Sequence, residues 1–92
     1  MDQAEKQLYE AILKLRDVEE CRAFFKDLCT PLEINDIKDR LVVARLLYSG
    51  KFSYREISRE TKVSLATITR VARSLTQENN KGYKLIFERE KE

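Results

Sequence analysis

From Lys62 to Gln77 the chain carries five hydroxyl residues, two arginines and no acidic residue. Ala66, Thr67, Thr69, Arg70 and Arg73 share one face if this stretch is helical, while Ile68, Ala72 and Leu75 form the opposite, apolar stripe. Short side chains can enter a nucleic-acid groove, and arginine can reach a guanine edge or a phosphate. A helix face that is merely solvated more often mixes in Glu or Asp. The upstream cations Lys51, Arg55, Arg59 and Lys62 extend the same character, opposed within residues 51–76 only by Glu56 and Glu60. The chemistry on offer is therefore recognition of an anion, with a solvated basic helix face as the plain alternative.

Other chemistries lack their parts. The 92 residues contain no histidine, so neither an imidazole-based triad nor a histidine metal site can form. The two cysteines, Cys21 and Cys29, lie eight apart in what reads as one helix, ~12 Å at helical rise and too far for an intrahelical disulfide. They are expected to be small buried hydrophobes in a reducing compartment. Two glycines and one proline exclude a glycine-rich phosphate loop and the many turns of an all-β fold. Carboxylates are plentiful, yet no pattern pairs them for acid–base work, so no catalytic residue is assigned and an enzyme is not expected.

The charge is divided along the chain. Residues 1–50 carry 8 Lys and Arg against 10 Asp and Glu, a net of −2, and residues 51–92 carry 10 against 6, a net of +4. The overall +2 conceals this split. No apolar run reaches the ~20 residues that span a bilayer. The first six residues show neither a basic n-region nor an apolar h-region, so a secretory signal is not expected and a cytoplasmic location is.

The elements that would position the basic face are helices. Residues 3–16 place Ala4, Leu8, Ala11, Ile12 and Leu15 on one stripe. A second helix starts at Asp17, with Glu20 at capping-box spacing, and runs to Leu28 with Cys21, Phe24, Phe25 and Leu28 as its apolar face. Thr30-Pro31-Leu32-Glu33 combines a capping box with proline at the first helical position. The helix it opens carries Ile34, Ile37, Leu41, Ala44, Leu47 and Tyr48 on one side and stops near Gly50. Ser53 and Glu56 form a third box, opening a short helix to Thr61 with Ile57 inward. Ser64 caps the next helix, Leu65 to Thr76. Ser58 is small where these two helices would cross, and Val63 can plug the core between them. Lys62 occupies a turn position that favours glycine, so it must adopt a strained conformation or the turn must differ. Residues 79–82 read as a loop. Residues 83–88 fit a helix or a strand by periodicity; a helix is expected because no partner strand exists, and residues 89–92 are expected to fray.

Two short helices joined by about three residues form a helix-turn-helix. The run from Ser53 to Arg70, with Ala66-Thr67-Ile68-Thr69-Arg70 as its most specific piece and Ser74-Leu75 beyond, resembles the tryptophan repressor family. Thr30-Pro31-x-Glu33 followed by Arg40 is similar to the start of that family's central helix. The resemblance covers residues 18–76 and, more loosely, the whole chain. Residues 24–29, 71–75 and Gly82-Tyr83 resemble one branch in particular, the YerC/YecD-type relatives.

The resemblance implies an all-α fold of about six short helices over residues 1–92, an intertwined homodimer. The helix-turn-helix would lie at 53–76, with dimerisation mainly through 1–50 and 83–90. It implies that Arg55, Leu65, Ala66 and Thr69 face bases, Leu65 fitting a core role as well. Thr67, Arg70 and Arg73 share the recognition face, and Lys51, Arg59, Lys62 and Arg73 fit phosphate contacts by charge. Thr30, Arg40, Arg70 and Ser74 match positions that hold the amino acid in the repressor. Against that pocket, Val71 stands where the family has glycine, and Asp27 and Cys29 replace apolar residues at its mouth. The pocket is expected to be closed or retuned, and no cofactor or metal is assigned. The plain alternatives are an N-cap for Thr30 and surface ion pairs of Arg40 and Arg70 with Asp36, Asp39 or Glu78. The expected function is a DNA-binding transcriptional regulator, probed against two alternatives: a repressor gated by tryptophan or another small ligand, and a helical protein-interaction module that does not bind DNA.

Overall fold

A computed structural model describes residues 1–77 and 79–92. Six helices form in chain order: α1 Gln3–Leu13, α2 Val18–Leu28, α3 Pro31–Ser49, α4 Tyr54–Thr61, α5 Leu65–Thr76 and α6 Gly82–Glu90. They fall into two compact units, residues 1–34 and 35–92, with the boundary inside α3.

In the first unit, local capping sets the helices. Asp2 accepts the Glu5 amide at 2.8 Å and starts α1. Helix α1 ends at Leu13, three residues earlier than the apolar stripe predicts. The chain has to extend at Asp17 (φ −152°), whose carboxylate accepts the Glu20 amide at 2.8 Å and starts α2. The Glu20 side chain accepts from the Arg16 amide rather than that of Asp17, so the expected box is open by one residue. Thr30 and Glu33 form the complete box: Oγ1 of Thr30 accepts the Glu33 amide at 3.2 Å, and the Glu33 carboxylate accepts the Thr30 amide at 2.9 Å. That backbone donor holds the Glu33 carboxyl below its ordinary pKa.

No residue of this unit is buried. Phe24 and Phe25 meet edge to face at 5.8 Å but stay half-exposed. Leu13 is 82% and Leu32 76% exposed. The expectation for the cysteines fails here: Cys21 is exposed and Cys29, in extended backbone just past α2, is half-buried. Their helix has an apolar face and nothing within the unit to bury it.

The second unit has a core. Val43, Ala44, Ile57, Val63, Ile68, Val71, Leu75 and Phe87 form one buried cluster, with Leu41, Leu46, Leu47, Tyr48 and Tyr83 packed against it. Each large side chain there contributes about 1.5–3 kcal/mol of apolar burial. The stripe predicted for α3 is partly displaced, because Val43 is fully buried and Ile37 is exposed. An α3 this rich in apolar residues has more than one candidate face, and only the packing partners select between them. Gly50 ends α3 at φ +72°, a left-handed conformation that glycine adopts without strain.

Residues 82–90 are helical, as the lack of a partner strand predicts. The end does not fray at Arg89. Nη1 of Arg45 donates to both carboxylate oxygens of Glu90 at 2.6 and 2.7 Å, and its guanidinium sits 5.3 Å from the Phe87 ring centre. Tyr48 packs on Phe87 with ring centres 5.0 Å apart and planes tilted by 43°, and donates its hydroxyl proton to Glu88. That bond, foremost, keeps the Glu88 carboxyl below its ordinary pKa.

Candidate nucleic-acid interface

The second unit presents the basic residues through the α4–turn–α5 pair. Ser53 and Glu56 close a full capping box at 3.1 and 2.9 Å, and the Glu56 carboxyl is held below its ordinary pKa mainly by the Ser53 amide. The turn is tied by side chains from α4. Oγ of Ser58 donates to the Val63 carbonyl at 2.8 Å, so the small residue at the crossing is also a bond across it. Oγ1 of Thr61 donates to the Ile57 carbonyl and accepts the Val63 amide. Lys62 is left-handed at φ +62°, the strained alternative that its position in the sequence poses. A left-handed non-glycine residue costs about 1–2 kcal/mol, offset here by burial of Val63 and by the bond from the Lys62 amide to the Ser58 carbonyl at 2.8 Å.

Ser64 caps α5. Its hydroxyl accepts the Thr67 amide at 3.2 Å and donates to Oγ1 of Thr67 at 3.1 Å. Ile68, Val71, Ala72 and Leu75 turn into the unit and are buried. Ala66, Thr69, Arg70 and Arg73 are exposed at i, i+3, i+4 and i+7 spacing, so they make one outward face. Thr67 belongs to this face less fully, being half-buried with its hydroxyl engaged by the cap. Leu65 is 49% exposed and lies outside the buried cluster, which removes the core alternative for it. The Thr69 hydroxyl donates to the Leu65 carbonyl at 2.8 Å, leaving its lone pairs outward. Lys51, Arg55, Arg59 and Lys62 are all exposed. Arg59 has Glu60 at 3.8 Å, whereas among the described residues no carboxylate lies within 4.0 Å of Lys51, Arg55, Lys62, Arg70 or Arg73. The outward surface is thus a row of uncompensated cations flanking short polar groups at a capped helix start, where backbone amides add positive potential.

Of the residues matched to an amino-acid pocket, Arg40 and Ser74 of the second unit line separate cavities. Thr30 lies in the first unit with its amide and hydroxyl oxygen both in the α3 capping box, as the N-cap reading expects. Arg40 is half-buried and lines a cavity of about 310 Å³ with Asp36, Asp39, Lys62, Ser64 and Thr67. Ser74 lines a different cavity of about 380 Å³ with Leu41, Tyr83 and Ile86. Val71 lines neither. It is 2% exposed and its isopropyl group fills core space. The alternative of ion pairs for Arg40 and Arg70 fails for Asp36 and Asp39, neither of which comes within 4.0 Å; Glu78 lies outside the described residues. The clamp of Arg45 on Glu90 is absent from the sequence reading, because a pair separated by 45 residues leaves no periodic signal.

A family model described as Trp repressor protein matches residues 3–91. The chain belongs to the Trp repressor family. Members of this family are DNA-binding transcription regulators rather than enzymes. Within it, the chain is 48% identical over 86 residues to the uncharacterized protein YerC of Bacillus subtilis (strain 168), covering 94% of this chain and 81% of that protein. Among solved structures, a TrpR-like protein from Eubacterium eligens is 43% identical with a TM-score of 0.91, over 98% of this chain and 91% of the other. A second, from Staphylococcus aureus, is 41% identical with a TM-score of 0.91, over 99% and 89%. The two solved structures agree with the six-helix fold, and the identity to YerC agrees with the YerC-type branch that residues 24–29 and 71–75 resemble. Among the described residues no helix is long and apolar enough to cross a membrane, and no cluster of three metal-ligating side chains occurs.

Proposed function

We propose that this chain is a cytoplasmic, sequence-specific transcriptional repressor that binds a pseudo-palindromic operator as a homodimer through α4 and α5. The carrying observation is the outward face of α5, where Ala66, Thr69, Arg70 and Arg73 lie exposed with no acidic neighbour on their helix. In this reading α5 enters the major groove, Thr69 and Arg70 reach base edges, and Ala66 and Leu65 make apolar contacts. Arg55 at the start of α4 also faces bases. Lys51, Arg59, Lys62 and Arg73 bind phosphates and set the register. Residues 1–50 and 83–90 form most of the dimer. Support for this comes from the first unit, which leaves Leu13, Val18 and Leu32 exposed. A second copy would cover that surface and place two α5 helices one DNA turn apart. Repression is then steric, by exclusion of polymerase from the operator.

Selection of bound duplexes from a random pool tests the reading directly, a palindromic consensus being the expected result. Arg73→Glu should weaken operator binding by at least about tenfold and flatten the dependence of affinity on salt, while Thr69→Ala should relax the preference at one base position. Binding that ignores salt, or no retention on DNA at ~50 mM salt, would exclude DNA recognition and favour a protein-interaction module. With Val71 filling the core, no tryptophan requirement is expected, and titration calorimetry showing affinity tighter than millimolar would restore the ligand-gated alternative.

A further inference from the structure

A base edge is read with donors and acceptors, and α5 supplies the two unequally. Arginine carries N–H donors and no acceptor, so Arg70 and Arg73 can pair only with guanine N7 and O6, thymine O4 or a phosphate. Adenine N6 and cytosine N4 have the opposite polarity. Each is an amino donor, met most often by Asn, Gln, Asp or Glu. Residues 65–76 contain none of these four types. A side-chain acceptor on the outward face of α5 must therefore be a hydroxyl.

The hydroxyls of this helix and its cap are not equivalent. Ser64 both accepts from and donates to Thr67, and Thr67 is half-buried with its oxygen taking that proton. Ser74 is half-buried. Thr76 lies in the last turn, away from the N-terminal end that a recognition helix directs at base edges. Thr69 is exposed in the second turn, and its hydroxyl donates to the Leu65 carbonyl at 2.8 Å. A carbonyl oxygen can only accept, so the direction of this bond is fixed. A hydroxyl has one proton and two lone pairs. With the proton held inside the helix, only lone pairs face outward, and the same bond holds the threonine rotamer. Ala66, three residues earlier on the same face, is small and exposed, which leaves a base room to reach that oxygen.

We propose that Thr69 is a specificity-determining residue for the exocyclic amino group of one base, adenine N6 or cytosine N4, which donates to the Thr69 oxygen in the major groove. The proposal rests on the DNA recognition by α5 proposed above and deepens it. A guanine O6 or thymine O4 at the same place would set oxygen against oxygen unless the Thr69 proton left the Leu65 carbonyl. Arg70, with donors alone, reads the opposite polarity.

The test uses the full chain. Random-pool selection with the parent and with Thr69→Val, nearly isosteric but without the hydroxyl, identifies the base pair whose preference depends on Thr69. Duplexes are then made in which that pair lacks its major-groove amino group (purine for adenine, or 2-pyrimidinone for cytosine). A second set lacks its carbonyl (5-methyl-2-pyrimidinone for thymine, or 2-aminopurine for guanine). Removing the amino group should weaken binding by the parent and by Thr69→Ser about fivefold more than by Thr69→Val, the scale of one hydrogen bond. The valine variant absorbs any change in the duplex itself. Removing the carbonyl should affect the parent and Thr69→Val alike. If it weakens the parent alone, Thr69 donates and the proposal is overturned. Equal loss by the parent and Thr69→Val without the amino group overturns it too. So does a Thr69→Ser that behaves like Thr69→Val, because the methyl group would then read the base. Selections by the parent and Thr69→Val that agree at every position overturn the proposal and leave DNA recognition standing. A parent that selects no sequence removes both.

Discussion

Residues 1–34 and residues 35–92 are equally well signposted in sequence and unequally provided for in structure. Side-chain caps start helices in both units, at Asp2, Asp17 and Thr30 in the first and at Ser53 and Ser64 in the second, whereas α6 starts after Lys81 without one. Among the described residues, however, all nine that are buried lie in the second. Helices of eleven residues are marginal in water without tertiary burial. The second unit supplies that burial from its own chain, around Ile57, Ile68, Val43 and Phe87. The first does not, which is why its apolar face calls for a second copy. Counted by unit the charge divides as well: residues 1–34 carry 5 Lys and Arg against 8 Asp and Glu, a net of −3, and residues 35–92 carry 13 against 8, a net of +5.

The largest test of this contrast removes core volume. Phe87→Ala should cost about 3–5 kcal/mol, read as a fall in melting temperature, because Phe87 anchors α6 against Tyr48 and Arg45 of α3. In the first unit Leu13→Asp is the informative change. For an isolated chain an exposed leucine is nearly neutral, within about 0.5 kcal/mol. In a homodimer that covers Leu13, sedimentation should show dissociation toward monomer at micromolar concentration. A variant that sediments like the parent would remove Leu13 from the interface.

Smaller effects sharpen the picture of the second unit. Lys62→Gly should stabilise by about 0.5–1 kcal/mol, read in chemical denaturation, since glycine adopts the left-handed turn without a Cβ clash. Loss of stability there would mean that the Lys62 side chain contributes more than its strained backbone costs. The smallest effect is on pH. Glu33, Glu56 and Glu88 all have carboxyls held below their ordinary pKa in the folded chain. Their contribution is therefore complete above the ordinary value and is lost as pH falls through the lowered folded values. An acid titration of the melting temperature should show this decline. Glu56→Gln should flatten it slightly, and an unchanged profile would mean that the Ser53 box adds nothing measurable.

Helix starts were the most legible feature, because a cap is a local contract between residues three apart. The Thr30–Glu33 and Ser53–Glu56 boxes could be named from residue type and spacing, and both form. The left-handed turn at Lys62 was legible as a conflict, since a helix-turn-helix needs that conformation and lysine resists it. The outward face of α5 followed from helical period and the absence of acids. Periodicity was least reliable where a helix is apolar on several sides. In α3 it favoured Ile37 over Val43, and only contact with the other helices of the second unit reversed that order. It also extended α1 past Leu13, because an apolar stripe does not register that Asp17 must extend to cap the next helix.

By itself, then, the sequence determined the family, the all-helical class, the capped helix starts and the acid-free face that α5 presents. These depend on residue type at short separations, where a few bonds and a repeating angle suffice. The tertiary structure alone decided which apolar residues become core and that Val71 fills core space. It also joined Arg45 to Glu90 across 45 residues. Such pairings depend on where the chain returns to itself, and no local period encodes that return.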